Sequence, residues 1–324
     1  MRSRFANETL ALGFALPPLL VWLVSQLSFE LAALDLRPIL LHLTHEVANA
    51  PAPDPLDLAR ARVTWGAGLL LFYVVACGVL GYALLLYREL SARGRLLYAA
   101  LAVLLVAISL WHAIHSGASR NAFSLLYYLS RDSLAACNCL SEDSFRAIEV
   151  AVQLLNLLAA VVPPVALLAG CAAVVVPRGS GPETLDRLAT KMERLKTLLA
   201  GGSALLVAGI LHQIVWHRWP ATLLQAPDDQ HVLGVATSLA VYWGTTYSLL
   251  TVTFFLPPAA ILRRQAMKIL DAESTTSADR QRWLDEHGFS VSPIKRLPQI
   301  TAILAPMLAG SFGTGLSALA TPLH

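Results

Sequence analysis

The sequence predicts an all-α integral membrane protein, a polytopic bundle of about six transmembrane helices with a cytoplasmic helical linker and tail. Three observations predict it. Six nearly uncharged, mostly apolar stretches lie at about 10–29, 64–87, 96–115, 147–176, 198–216 and 232–256. Each supplies the roughly 20 helical residues that a hydrocarbon core about 30 Å thick requires. The 324-residue chain is 56% hydrophobic and 14% charged, against about 25% charged in an ordinary soluble domain. Its basic residues recur in alternate loops.

Those loops set the expected orientation. Arg2 and Arg4 precede span one, and Arg88, Arg93 and Arg95 follow span two. Arg178, Arg187, Lys191, Arg194 and Lys196 separate spans four and five, and Arg263, Arg264 and Lys268 follow span six. Lys and Arg in short loops stay cytoplasmic. The N-terminus and the segment after residue 257 are therefore expected in the cytoplasm, and the chain in a cell (inner) membrane. A net charge of only +3, spread over several loops, indicates no nucleic-acid partner.

Span one follows Met1-Arg2-Ser3-Arg4, but its apolar core exceeds the 7–15 residues or so of a signal h-region. It is expected to be an uncleaved helix, kinked at Pro17-Pro18. Pro38 should open a short helix from Ile39 to Val47, with Leu40, Leu41 and Leu43 on the membrane surface. Pro51, Pro53 and Pro55 should then hold the chain extended. Trp65 and Tyr87 mark the ends of span two, where Gly66, Gly68, Gly78 and Gly81 would allow close helix contact. Span three ends in Trp111, His112 and His115.

Cys137-Asn138-Cys139 lies in the next outer loop. Cysteines two apart are awkwardly placed for a bridge, so a labile or unpaired thiol pair is expected. Cys77 and Cys171 read as packing residues. Span four carries Pro163-Pro164 and must tilt or break. Before the pair, Glu149, Gln153 and Asn156 share one face.

Pro182-Glu183 should open a cytoplasmic helix over about 183–197. Leu185, Leu188, Met192, Leu195 and Leu199 form a 3-4-3-4 seam. The seam packs on another part of the chain, or docks a cytoplasmic partner or a second copy. In span six, Thr237, Gly244, Ser248 and Thr251 share a face that packs on a helix or borders water. Pro257-Pro258 should close that span.

Residues 258–324 read as a cytoplasmic tail. Ser277 is the expected N-cap of a helix to Glu286, stopped by Gly288, and Ser292-Pro293 the next helix start. Residues 293–320 read as a re-entrant or interfacial hairpin under the bundle in preference to a seventh span.

Histidines gather on the expected outer side: His42 and His45, His112 and His115, His212 and His217. Interfacial hydrogen bonding explains them, and so would a polar vestibule. A metal or haem site is the third reading, with His42, His45, His112, His115 and His212 as ligands. No cofactor is expected otherwise. No Asp, Glu, Lys or Arg lies mid-span, where proton-coupled carriers usually keep a carboxylate. No phosphate loop, His-Glu-x-x-His or Gly-x-Ser-x-Gly occurs, so an enzyme is not indicated.

The expected function is a transporter-like or pore-like protein for a neutral or small solute. Pro17, Pro18, Pro163 and Pro164 would be hinges at matching places in two halves. Glu149, Gln153, Asn156, Thr237, Ser248 and Thr251 would line the path. Two alternatives remain. One is a membrane anchor or effector subunit, docking partners through Leu185, Leu188, Met192 and Leu195. The other is a metal- or haem-binding redox protein. The bilayer is the one partner the composition demands.

Overall fold

The computed structural model describes residues 2–32, 36–51, 53–119, 122–175, 182–272, 276–290 and 296–319. Among the described residues every regular element is helical. Helix α1 (Arg2–Ala11) runs through a 3-10 turn (Leu12–Ala15) into α2 (Leu16–Ala32), and α3 (Leu36–Asn49) lies in the following loop. Then come α4 (Pro55–Tyr87), α5 (Ala92–Ser119), α6 (Ala122–Ala136) and α7 (Glu142–Ala173). The chain ends with α8 (Pro182–Arg218), α9 (Asp228–Ala272), α10 (Ser277–Glu286) and α11 (Leu297–Leu319). Among the described residues, six helical segments, each overlapping one expected span, are long and apolar enough to cross a membrane.

Local chemistry sets the helix starts. The Asp54 carboxylate accepts from Leu56 N at 2.8 Å, with Pro55 in the first turn. Pro55 thus opens α4 and does not extend the chain, because an N1 proline lacks only a donor the helix would leave unused. Ser141 caps α7, accepting from Ser144 N at 3.3 Å, and Glu142 and Asp143 complement the dipole.

The proline pairs act differently from expectation. Pro17 and Pro18 lie in the first turn of α2, so the irregularity precedes them, at Leu12–Ala15. Pro163-Pro164 lies inside unbroken α7. Pro257-Pro258 does not close its span: α9 continues to Ala272, 45 residues in all. A helix-interior proline costs about 3 kcal/mol or more. Beyond the pair, Leu262 and Leu270 are buried with Leu284 and Phe289, and each such side chain contributes about 1.5–3 kcal/mol. That burial, with Ala266 in the same cluster, offsets the backbone cost.

The same cluster holds Leu185, Leu188, Met192 and Leu195, each at most 5% exposed. The seam is covered by the chain's own α9, and residues of α10 and α11 join the same cluster. Helix α10 is capped not by Ser277 but by Thr276, whose Oγ1 accepts from Asp279 N at 3.2 Å. Gly288 ends it in the left-handed conformation, φ +76°. Ser292 and Pro293 lie outside the described residues.

Helix α11 corrects the hairpin expectation. Leu297–Leu319 form one helix packed along α8 and α9. Ser203 Oγ donates to Ala302 O at 2.5 Å, and Met307 N donates to Ser248 Oγ at 3.1 Å. A Cβ on Gly244 would lie 2.8 Å from Pro306 O, and Gly310 packs on the Ala240 backbone. Positions rise along α11 as they fall along α9, so the two are antiparallel. Helix α11 lies beside the expected spans five and six, not beneath the bundle.

Helix α3 is longer at both ends than expected, and Leu41 on it is exposed; the side chains of Leu40 and Leu43 lie outside the described residues. Of the four glycines in α4, only Gly68 approaches another helix, at the His212 backbone. Cys171 is buried, but Cys77 faces outward.

The molecule has two distinct ends. At the basic end, the Glu8 carboxylate accepts from Ser91 N and Ser91 Oγ, and Arg194 pairs with Glu89. At the other, Trp65, Trp216 and Trp219 pack with Val47, Leu134 and Leu223.

Candidate functional site

A groove runs between α2 and α9, in the half of the bundle away from the basic end. On α9, Thr237, Ser238, Val241, Tyr242, Thr245 and Thr246 recur at one-, three- and four-residue steps, which puts them on one side of the helix. On α2, Val24, Ser25 and Ser28 do the same. Facing each other, they border an open groove of about 680 Å³. The Tyr242 hydroxyl donates to Ser25 O at 2.6 Å, and the Phe29 ring lies 5.3 Å from both Tyr242 and Trp243. These contacts hold the two walls together at one edge. Val24, Val241 and Leu249 remain exposed along the groove.

The hydroxyls have a defined polarity. Thr237 Oγ1 donates to Leu233 O at 2.8 Å, Ser238 Oγ to Gly234 O at 3.1 Å, and Thr245 Oγ1 to Val241 O at 2.9 Å. A hydroxyl has one proton and two lone pairs. With the proton committed to the backbone, the oxygen is left as an acceptor. The groove offers acceptors on an apolar wall.

The residues expected to line a path are dispersed. Thr237 lines the groove. Ser248 and Thr251 are buried elsewhere on α9: Ser248 receives Met307 N, and Thr251 Oγ1 donates to Tyr247 O at 2.6 Å. Glu149 accepts from Arg131 Nε at 2.8 Å and pairs with Arg131 Nη2 at 2.7 Å. Burial lowers the Arg131 pKa, but the Glu149 and Asp132 carboxylates outweigh it and hold the guanidinium above its usual range. Gln153 and Asn156 are exposed on α7.

The histidines are dispersed too. His42 and His45 lie beside Glu46 at 3.8 and 3.7 Å, with side chains 61% and 74% exposed. His112 packs edge-on to Trp22, ring centroids 6.2 Å apart. His212 is buried and stacks on Trp216 at 6.5 Å. The His115 side chain lies outside the described residues. Among the described residues, no three His, Cys, Asp or Glu side chains gather to hold a metal ion. Cys137 and Cys139 are bonded to each other, which corrects the expectation that the thiols are unpaired. Asn138 between them has φ +50°. That left-handed turn brings the flanking Cα atoms to 5.1 Å, within ordinary reach of a disulfide.

Sequence reasoning missed the α2 wall. Ser25 and Ser28, three apart in an apolar helix, were its only signal. Fold and groove together define an all-helical, multi-pass membrane protein with a hydroxyl-lined lateral recess. No family model, curated protein or solved structure matches the chain.

Proposed function

We propose that this is a transporter-like protein that takes a neutral amphipathic solute from the lipid into the α2–α9 groove. The observation that supports it is the polarity of the groove: back-bonded hydroxyl acceptors on an apolar wall. Such a surface suits a ligand with an alcohol or amide donor and a hydrocarbon body, and it has no group to neutralise a charge. In this reading the basic end faces the cytoplasm and the groove belongs to the outer half of an inner-membrane protein. The 3-10 turn at Leu12–Ala15, just before Pro17-Pro18, gives the α2 wall a pivot. Pro163-Pro164 sits inside a continuous helix, so this reading places the pivot at α2. The docking alternative is disfavoured, because Leu185, Leu188, Met192 and Leu195 are already covered.

The test pairs labelling with flux. In proteoliposomes, a photoreactive fatty-alcohol analogue should label α2 and the 237–249 stretch of α9. Filling the groove with Ser238→Leu and Thr245→Leu should lower labelling about tenfold, a loss of roughly 1.4 kcal/mol. Efflux of small neutral polyols and alcohols should fall in parallel. Labelling that ignores both substitutions, with no flux of any solute tried, would refute the proposal.

A further inference from the structure

A second cavity, of about 560 Å³, lies at the basic end between α8, α9, α10 and α11. Five cationic residues line it: Lys196, Arg263, Arg264, Lys268 and Arg296. Only two carboxylates, Asp271 and Asp285, accompany them. Asp271 is already paired with Arg280, and Asp285 accepts from Gln281 Nε2 at 3.0 Å. The cation excess is therefore not neutralised from within the lining.

The wall is built. Gly288, at φ +76°, packs directly beneath the Lys196 ammonium. A side chain there would be strained by the backbone and would push the Lys196 ammonium aside. Arg296 is tethered by its Nε–H, which donates to Ser290 O. Arg263 Nε is buried with no protein partner, as is Gln299 Oε1. Five like charges around one cavity repel, and a buried guanidinium N–H costs free energy until it finds an acceptor. Both costs are relieved by one anion with several oxygens, and guanidinium geometry matches phosphate.

Depth narrows the class further. Met192, Phe255, Leu256 and Ala259 form an apolar floor, and Arg263 and Arg264 follow about one turn beyond it. We propose that this cavity binds a phosphate-bearing anion: an anionic phospholipid headgroup, or a free phosphate compound. Cations at the rim would hold the phosphate, and the floor would take the first part of an acyl chain.

The experiment uses the full chain in phosphatidylcholine nanodiscs. One arm adds phosphatidylglycerol and reads retained lipid by native mass spectrometry. The other adds inorganic pyrophosphate and reads the unfolding midpoint. A lipid site predicts retention of phosphatidylglycerol over phosphatidylcholine by about tenfold, of which Lys268→Gln should remove about fivefold and Arg263→Gln with Lys268→Gln the whole preference. A free-phosphate site predicts a rise in midpoint with pyrophosphate that the same pair abolishes. Lys268→Gln alone, at an exposed position, covers failure of the double variant to fold. Arg187→Gln, exposed and outside the cavity, removes the same single charge as Lys268→Gln and should change neither readout. The inference is overturned if neither anion binds, or if Arg187→Gln has the same effect as the cavity substitutions.

Discussion

Glu8 shows how one side chain can organise the end of a membrane bundle. It is fully buried, a costly position for a carboxylate unless hydrogen bonds satisfy it. Ser91 N and Ser91 Oγ donate to it at 2.8 and 2.5 Å, and Tyr98 donates to the Glu8 carbonyl at 2.9 Å. Ser91 itself caps α5, its Oγ accepting from Gly94 N at 3.0 Å. In a capping box, the residue three beyond the cap is a Glu that reaches back to the cap N–H. Here that position is Gly94, and Glu8 supplies the carboxylate from α1. Glycine is needed because a Cβ at Gly94 would run into the Glu8 carboxylate. Glu8→Ala should therefore lower stability by about 1–3 kcal/mol, read as an earlier thermal transition in detergent. Adding Gly94→Glu should restore part of the loss by closing the box within α5. No recovery would mean that Glu8 acts by packing alone. None of this was legible in the sequence, where Glu8 and Ser91 are separated by 83 positions and Glu8 reads as a charge before an apolar run.

Helices show what periodicity reveals and what it hides. The 3-4-3-4 seam of α8 was legible because that spacing directly reports one buried face. Which surface covers it was not, since α9 was expected to stop at Pro257-Pro258. A proline pair ends a helix only where nothing beyond it gains from continuing, and Leu262, Ala266 and Leu270 gain. Leu188, fully buried in that cluster, should cost about 2–5 kcal/mol on replacement by Ala. The loss should appear as faster proteolysis around residues 273–296, with no change in captured proteins. Helix α11 depends on small residues instead. At Gly244 the opposing atoms are backbone, Pro306 O and Met307 Cα, which cannot rotate away. Gly244→Val should thus cost about 1–3 kcal/mol of overpacking and release α11 to protease. Gly78→Val, with nothing within 4 Å, should be close to neutral in the same assay.

At the scale of the molecule, composition made the class readable and loop charge made the two ends readable. Described residues of the second, third and fourth basic segments do converge at one end, through Glu89–Arg194 and the Lys196–Arg263–Arg296 cavity. The lateral groove was not readable, because its walls come from residues 217 positions apart, Ser25 and Tyr242. The same limit applied to α11, whose glycines and prolines suggested a hairpin until their partners on α9 were known. Its 23 residues give about 34 Å of helix, enough for the hydrocarbon core. It starts beside the basic cavity at Gln299 and reaches Ala240 by Gly310, so its remaining residues point toward the opposite end. A periplasm-active reporter fused after His324 should consequently read opposite to one placed in loop 88–95. The two reporters on a common side would mean that the chain turns back within the membrane, and Gly310 against Ala240 would then be the deepest point of α11 and not its middle.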